Sequence, residues 1–510
     1  MSGRSAMIRD KSPYALFAAL AVLFALPAAV APQMTHDSFW IDVSWSQQFT
    51  ALLRTGNLYP RWLPWSYGGL GSPAFYYYAP LSFHLTGLFG LLGLSTYKAL
   101  LAAFGTAWFG SGATMYGWLK ARTRAPLLGA LLYMVLPYHV MDFYARGALA
   151  EFCAFAVAPL VATGLRDTIE RGRVVGFGLT YSVLIMTHLP TAVIVSVLLI
   201  GPYALWSTRA NPRCLLPVLY GGALGIAGAA IYLVPALTLQ SFSSVGALWD
   251  AKFLNPANWS LLHPELWVSK SYVLLFAGLA ASTALASALL SIRQWSFWSG
   301  WTIAVCLIVV GLLPGFWSLP VLKAVQFPWR ALLLAEFGLA TLAASWRGSP
   351  VIATATVLPL IAFALVMGTP ANPMHGEPMR PLPTGDVQDV IEYLPRGAVG
   401  PNRSPRDDLL TQAAAAARAH PGSSFPYPSV MSRCGDRQVA AEPTGETPLV
   451  VAPAAGCRLT VRRLTVEWVG LAISLCAMLL LARAGLARGR TRMPCPALNA
   501  RGETQLKTFH

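Results

Sequence analysis

The chain has 510 residues, of which 55% are apolar and 11% charged, whereas an ordinary soluble domain carries roughly 25% charged residues. A water-soluble globular surface is excluded. The net charge of +16, from 37 Lys and Arg against 21 Asp and Glu, does not point to nucleic acid, because the basic residues sit in short loops between apolar blocks, as the cytoplasmic loops of a membrane protein do.

The first apolar block, 14–31, follows Arg4, Arg9 and Lys11 and ends near Ala29-Val30-Ala31, so a secretory signal is one reading of it. Its run of about eighteen apolar residues is long for a signal core and close to a bilayer span, and it is read as a retained helix. Further helices are predicted near 97–118, 125–139, 148–165, 174–188, 191–206, 214–237, 270–292, 295–314, 329–345, 350–368 and 465–482. Basic clusters at 4–11, 120–124, 166–173, 209–213, Arg293, Arg347 and 483–492 then all fall on the cytoplasmic side. Twelve crossings place both termini in the cytoplasm of a cell whose inner, cytoplasmic membrane holds the chain. The apolar stretch 78–93 is left over. As a crossing it would move every later basic loop to the outer side, so it is read as a re-entrant or interfacial helix on the outer face.

The predicted fold is an all-α polytopic membrane protein with a small α+β extracytoplasmic segment before the last helix. It divides into a transmembrane domain, 1–368, with a large first outer loop, 32–96; an extracytoplasmic segment, 369–464; a last transmembrane helix, 465–482; and a basic cytoplasmic tail, 483–510. The outer segment is rich in Pro and Gly, with a helix-like run at 408–419 and strand-like runs at 448–452 and 458–466.

Chemistry is sought on the outer side. The first helix is followed by Thr35-His36-Asp37-Ser38-Phe39-Trp40 and an amphipathic stretch in which Trp45, Phe49, Leu52 and Leu53 share one helical face, expected to lie on the membrane surface. Glycines, prolines and aromatics then crowd the loop: Gly56, Leu58-Tyr59-Pro60-Arg61-Trp62, and Phe75-Tyr76-Tyr77-Tyr78. A carboxylate at the bilayer edge can act as a general base or help hold a divalent metal; the plainer reading makes His36 and Asp37 a solvated helix end. A second cluster, Pro137-Tyr138-His139 with Asp142, Tyr144, Arg146, Gly147 and Glu151, packs many ionisable groups beside hydrocarbon, which is costly unless they face a cavity or one another. An ion pair of Arg146 with Glu151 or Asp142 that only ties down the turn is the alternative. The third is Gln326-Phe327-Pro328-Trp329-Arg330, where the guanidinium matches the geometry of a lipid phosphate or simply snorkels to the interface. His188, before Pro190, is a weaker candidate and more often a packing residue.

Seven cysteines show no metal-ligand spacing. Cys434 and Cys457 share the long polar segment, and outside the cytoplasm a disulfide between them is expected. No phosphate-binding glycine loop, GxSxG elbow or zinc-spaced His pair occurs, which disfavours ATP-driven transport and serine hydrolysis.

On His36-Asp37, Gly56 with Leu58-Tyr59-Pro60-Arg61-Trp62, Tyr144 with Arg146-Gly147 and Glu151, Phe327-Pro328-Trp329-Arg330 and Glu392-Tyr393-Leu394-Pro395, the chain resembles a family of bacterial membrane proteins labelled as related to 6-pyruvoyl-tetrahydropterin synthase, within the GT-C glycosyltransferase-like superfamily. Nothing in these residues suggests pterin chemistry. The resemblance covers roughly residues 14–395 and implies a sugar transferase using a polyprenyl-phosphate sugar donor on the non-cytoplasmic face, with membrane lipid and that carrier as partners. It implies that the acidic residue of the first outer loop, here Asp37 with its neighbour His36, is catalytic or metal-binding, with Asp142 and Glu151 contributing. Arg61, Tyr77, Tyr144, Arg146, His188 and Arg330 are the candidates for substrate or lipid-phosphate binding. A transporter or flippase of a lipid-linked substrate, and a non-catalytic membrane scaffold, are the rival readings.

Overall fold

A computed structural model of the chain describes residues 2–30, 38–244, 252–367, 389–390, 393–394, 422–443 and 449–486, with positions 415 and 419. His36, Asp37, most of the helix-like run at 408–419 and nearly all of the basic tail lie outside the described residues.

Helix is found at every predicted apolar stretch. Among the described residues six helices are long and apolar enough to cross a membrane, or seven if Pro212–Gly228 and Ala230–Thr238, bent by 70°, form one span. Twelve full crossings are not reached by this measure. Val174–Thr187 has 14 residues and Phe297–Val309 has 13, short of the ~20 that span a bilayer. Val22, Leu216, Leu219, Leu285 and Leu479 are largely exposed, an apolar outer surface that suits lipid and not water. Phe104, Trp108, Phe152, Phe155 and Phe337 fill the interior. The chain is a multi-pass membrane protein.

The Leu149–Arg171 helix sets the two poles of the fold. Glu151 lies in its first turn and Arg171 in its last, about 30 Å apart at 1.5 Å per residue. At the far pole Arg171 pairs with Asp167 at 2.7 Å, Arg122 pairs with Glu170, and Arg166 Nη1 donates to the Trp118 carbonyl at 3.0 Å. The backbone N–H of Arg124 donates to Ala344 O. Basic clusters distant in sequence therefore meet at the pole opposite Glu151.

One helix break and one rescued carbonyl follow from proline chemistry. Leu136 is extended, ψ 151°, as the residue before a proline prefers. The restart at Pro137 leaves orphan donors, and the buried Glu336 carboxylate takes both, from Tyr138 N at 2.6 Å and His139 N at 3.1 Å. In Ala230–Thr238, Pro235 has no N–H for the Ile231 carbonyl four residues back. Arg61 Nη2 donates to that oxygen at 2.6 Å, and the Ile231 N–H donates to Ser474 Oγ at 2.8 Å.

After the first helix, the helix Phe39–Arg54 does not present its apolar face outward as a surface helix would. Trp45 and Phe49 are buried against Phe75, at ring distances of 5.4 and 4.8 Å, and Phe83, because the loop's own aromatics supply the apolar cover. The leftover stretch forms Leu81–Leu91, whose 11 residues reach about 16 Å, half a bilayer.

Before the last helix lies a small antiparallel sheet of strands β1 (Val430–Cys434), β2 (Arg437–Val439) and β5 (Cys457–Val461), ordered β2-β1-β5, with a second pair, β3 (Glu442–Pro443) and β4 (Val450–Val451). The predicted strand at 458–466 ends at Val461 because Thr465 already begins the helix Thr465–Leu486. Cys434 and Cys457 face each other in register and form the expected disulfide.

Candidate functional site

At the Glu151 pole the chain turns from helix through a five-residue π-helical segment, Asp142–Arg146, which Gly147 ends at φ 57°. Such wide turns re-aim side chains and recur at functional sites, and a left-handed terminator favours glycine. The wide turn places Asp142 and Arg146 side by side. Arg146 Nη1 donates to Asp142 Oδ1 at 2.9 Å, to Glu151 Oε2 at 2.7 Å and to Tyr138 Oη at 3.0 Å. The Tyr138 hydroxyl in turn donates to Glu151 Oε1.

Arg330 closes the cluster. Its Nε donates to Glu151 Oε2 at 2.9 Å, and its Nη1 to Val325 O at 2.6 Å and Gln326 Oε1 at 3.1 Å. Gln326 itself sits at φ 66°, a conformation costly for a residue with a Cβ; it brings the Val325 carbonyl and its own amide onto one guanidinium. Both formal positive charges thus share one buried carboxylate. Asp42, missed by sequence reasoning, adds another buried acid on the same side by accepting the Leu149 N–H at 2.9 Å. Ser38, the residue after Asp37, donates its N–H to Arg146 O at 2.9 Å.

Arg330 lines a cavity of about 220 Å³ with His188, Tyr77, Tyr78, Tyr232 and Tyr393 among its neighbours. The remaining walls are largely apolar, from Leu189, Val193, Leu233, Ala236 and Leu237. His188 Nδ1 is held by Thr191 Oγ1 at 2.7 Å. Its Nε2, and Arg330 Nη2, have no hydrogen-bond partner among the described residues and are not sealed from the cavity. The Arg330 donor and a ring nitrogen of His188, donor or acceptor according to its tautomer, therefore look onto a largely apolar chamber.

Tyr77 organises the mouth. Its hydroxyl donates to Leu239 O at 2.6 Å and meets Tyr427 Oη at 3.0 Å; Tyr232 donates to its carbonyl at 2.7 Å; its ring stacks on Tyr393 at 5.7 Å and 16°. Asp389 fastens this edge, accepting from Trp45 Nε1 and Ser66 Oγ at 2.9 Å each. Burial pushes the Asp389 carboxyl above its ordinary range, opposed by its hydrogen bonds from Val390 N, Ser72, Ser66 and Trp45.

Two sequence candidates lie elsewhere. Arg61 forms a buried ion pair with Glu467 at 3.1 Å and lies over the Tyr59 ring at 3.8 Å; burial raises the Tyr59 hydroxyl to about 12, Arg61 partly opposing. Tyr144 donates to the Phe24 carbonyl, against the first helix. Glu467, Asp389 and Glu336 were not anticipated, although a lone carboxylate inside an apolar run is itself a signal in membrane helices. Among the described residues no group of three or more His, Cys, Asp or Glu forms a metal-ligand set, and Asp142 and Glu151 are occupied by guanidinium groups. These residues do not fit a metal, and no step is derived through one.

No known protein family matches the chain, so the pterin-synthase-related label gains no support, and no curated protein matches it. Among solved structures it is similar to the arabinofuranosyltransferase AftD from Mycobacteria, determined by single-particle cryo-electron microscopy, with TM-score 0.46 and 18% identity over 70% of this chain and 26% of that one. A second structure, of a mutant AftD, gives TM-score 0.42 and 19% identity over 70% and 27%. The chain thus spans about a quarter of the length of those chains.

Proposed function

We propose that the chain is a GT-C-type membrane transferase that moves a sugar from a polyprenyl-phosphate donor to an extracytoplasmic acceptor. The observation that carries this reading is the apolar chamber onto which Arg330 Nη2 and His188 Nε2 open. Apolar walls suit an isoprenoid chain, and a fixed guanidinium donor beside an imidazole suits the phosphate at its head.

Transfer proceeds by attack of an acceptor hydroxyl oxygen on the anomeric carbon. The bond from that carbon to the phosphate oxygen breaks, the polyprenyl phosphate leaves with the electron pair, and Asp37 takes the hydroxyl proton. Charge grows on the leaving phosphate, where a guanidinium already pinned by Glu151, Val325 O and Gln326 needs no reorganisation to stabilise it. Asp142, Glu151 and Arg146 are positioning residues in this scheme. Arg61 is assigned to the bent helix and not to the phosphate.

The protein in nanodiscs is titrated with polyprenyl phosphate and with the polyprenol of equal length. Arg330→Lys is expected to weaken the phosphate roughly tenfold, as expected for the loss of one positioned charge-assisted donor, and to leave the alcohol unchanged. Asp37→Asn is expected to abolish turnover of a labelled polyprenyl-phosphate sugar while donor binding persists. Equal phosphate affinity in Arg330→Lys, or full turnover in Asp37→Asn, rejects the assignment. Flippase action is the second reading, favoured by the broken span at Ala229; donor crossing the bilayer with its sugar intact would establish it instead.

A further inference from the structure

The small outer sheet carries a charge arrangement that its own stability does not explain. In register, Arg433 of β1 lies directly opposite Arg458 of β5, and Met431 opposite Thr460. Like charges facing across a strand pair destabilise it. Arg462 continues the same side of β5, its N–H donating to Ser429 O at 2.8 Å. All three arginines are exposed, and none forms an ion pair among the described residues. Among the described residues Arg433 Nε reaches only the Gly435 carbonyl, at 3.2 Å.

The opposite face of the sheet fixes where this one points. Val430 and Leu459 pack into a cluster with Trp62, Tyr67, Leu70 and Tyr76 of the first outer loop, and Ser432 between them is fully buried. The sheet therefore rests on that loop, and its arginine face is the opposite, exposed one. Arg458 and Arg462 are about 13 Å apart along the strand, and Arg433 lies about 5 Å across from Arg458. The cations form a strip, not a point. The buried side of the sheet, not the arginine side, reaches toward the chamber: Tyr427, three residues before β1, meets the hydroxyl of the cavity-lining Tyr77 at 3.0 Å.

We propose that this face binds an anionic glycan, a chain bearing carboxylate or phosphate groups along its length, as the acceptor. The proposal rests on the transferase reading for the word acceptor, but not for the binding itself. A strip of guanidinium groups spaced along a strand matches anions repeated along a chain.

The full chain in zwitterionic nanodiscs is titrated with oligogalacturonate, with oligomeric glycerol phosphate and with a neutral maltooligosaccharide. At least one anionic chain is expected to bind, weakening as salt rises, and the neutral one is not. The double variant Arg433→Gln and Arg458→Gln is expected to lose roughly tenfold or more of that affinity, the loss of two charge-assisted contacts. Mass spectrometry showing Cys434 and Cys457 still paired certifies the variant's sheet. Arg330→Lys is expected to leave glycan affinity untouched, so failure of donor binding and failure of glycan binding are separately visible. The proposal is overturned if neither anionic chain binds, if the double variant binds as well as the parent, or if nanodiscs containing phosphatidylglycerol suppress binding by occupying the strip.

Discussion

Arg330 and Glu151 are 179 residues apart in sequence, yet Arg330 Nε donates to Glu151 Oε2 at 2.9 Å, on the same carboxylate oxygen that Arg146 Nη1 reaches at 2.7 Å. One buried anion thus holds two cations, and the cavity receives whatever donor capacity that carboxylate leaves unused.

Glu151→Gln removes the shared counter-charge and leaves two buried guanidinium groups with only Asp142 between them. The expected loss is about 3–5 kcal/mol of stability, the usual cost of breaking a buried pair from one side. It is read as a lowered unfolding midpoint in a fixed detergent. Affinity for polyprenyl phosphate is expected to fall while affinity for polyprenol holds, because Arg330 loses its clamp and the apolar walls do not change. An unchanged midpoint would show that Glu151 stabilises nothing.

Arg61 compensates for a proline. Arg61→Met is expected to destabilise more than Glu467→Gln, since it also strands the Ile231 carbonyl that Pro235 cannot serve. Adding Pro235→Ala to Arg61→Met restores a backbone donor and is expected to return about 1 kcal/mol. If the double variant melts no higher than Arg61→Met alone, the bond to Ile231 is incidental.

Asp389 gives the fold a pH dependence of known sign. Its folded-state pKa is raised by burial, so the folded chain holds the proton more tightly than the unfolded chain does. The resulting stability is fully present below the ordinary aspartate range and is lost as pH rises from there through the raised value. Asp389→Asn keeps the acceptor for Trp45 and can donate to Ser66. Its unfolding midpoint is expected to fall less than the parent's over that window. Parallel curves for the two proteins would remove Asp389 as the cause.

The Cys434–Cys457 bridge closes a loop with a sequence separation of 23 residues, worth about 3 kcal/mol in chain-entropy terms. Replacing both cysteines by serine is expected to expose the sheet region to limited proteolysis while the transmembrane helices stay protected. Two free thiols at these positions in the untreated protein would contradict the pairing.

Helix positions were legible because hydrocarbon demands apolar runs, and the Asp142, Arg146, Glu151 and Arg330 set was legible because charges beside such runs must find one another. Other features left weaker traces. The bend at Ala229 has no proline at the bend itself; the Ile231 peptide groups beside it are met by Arg61 and Ser474, residues that no local pattern joins. Tyr144 was grouped with Arg146 by proximity in sequence, but the wide turn aims it at Phe24 instead. The amphipathic face of Phe39–Arg54 was read correctly as apolar and assigned to the wrong neighbour, since periodicity reports that a face is covered and not by what. Asp37, on which the chemical scheme leans, lies outside the described residues.

The join between Tyr76 and Glu467, 3.0 Å long, spans 391 residues of chain, and Asp389 reaches Trp45 across 344. At about 5–20 residues per second of synthesis, roughly 20–80 s separate the emergence of the two ends of the longer join. During that interval the aromatic first loop and the Arg61 cation stand at the membrane edge without their partners. Biogenesis of this protein therefore includes a waiting period, in which the loop at 39–80 is made before the segments that complete its contacts.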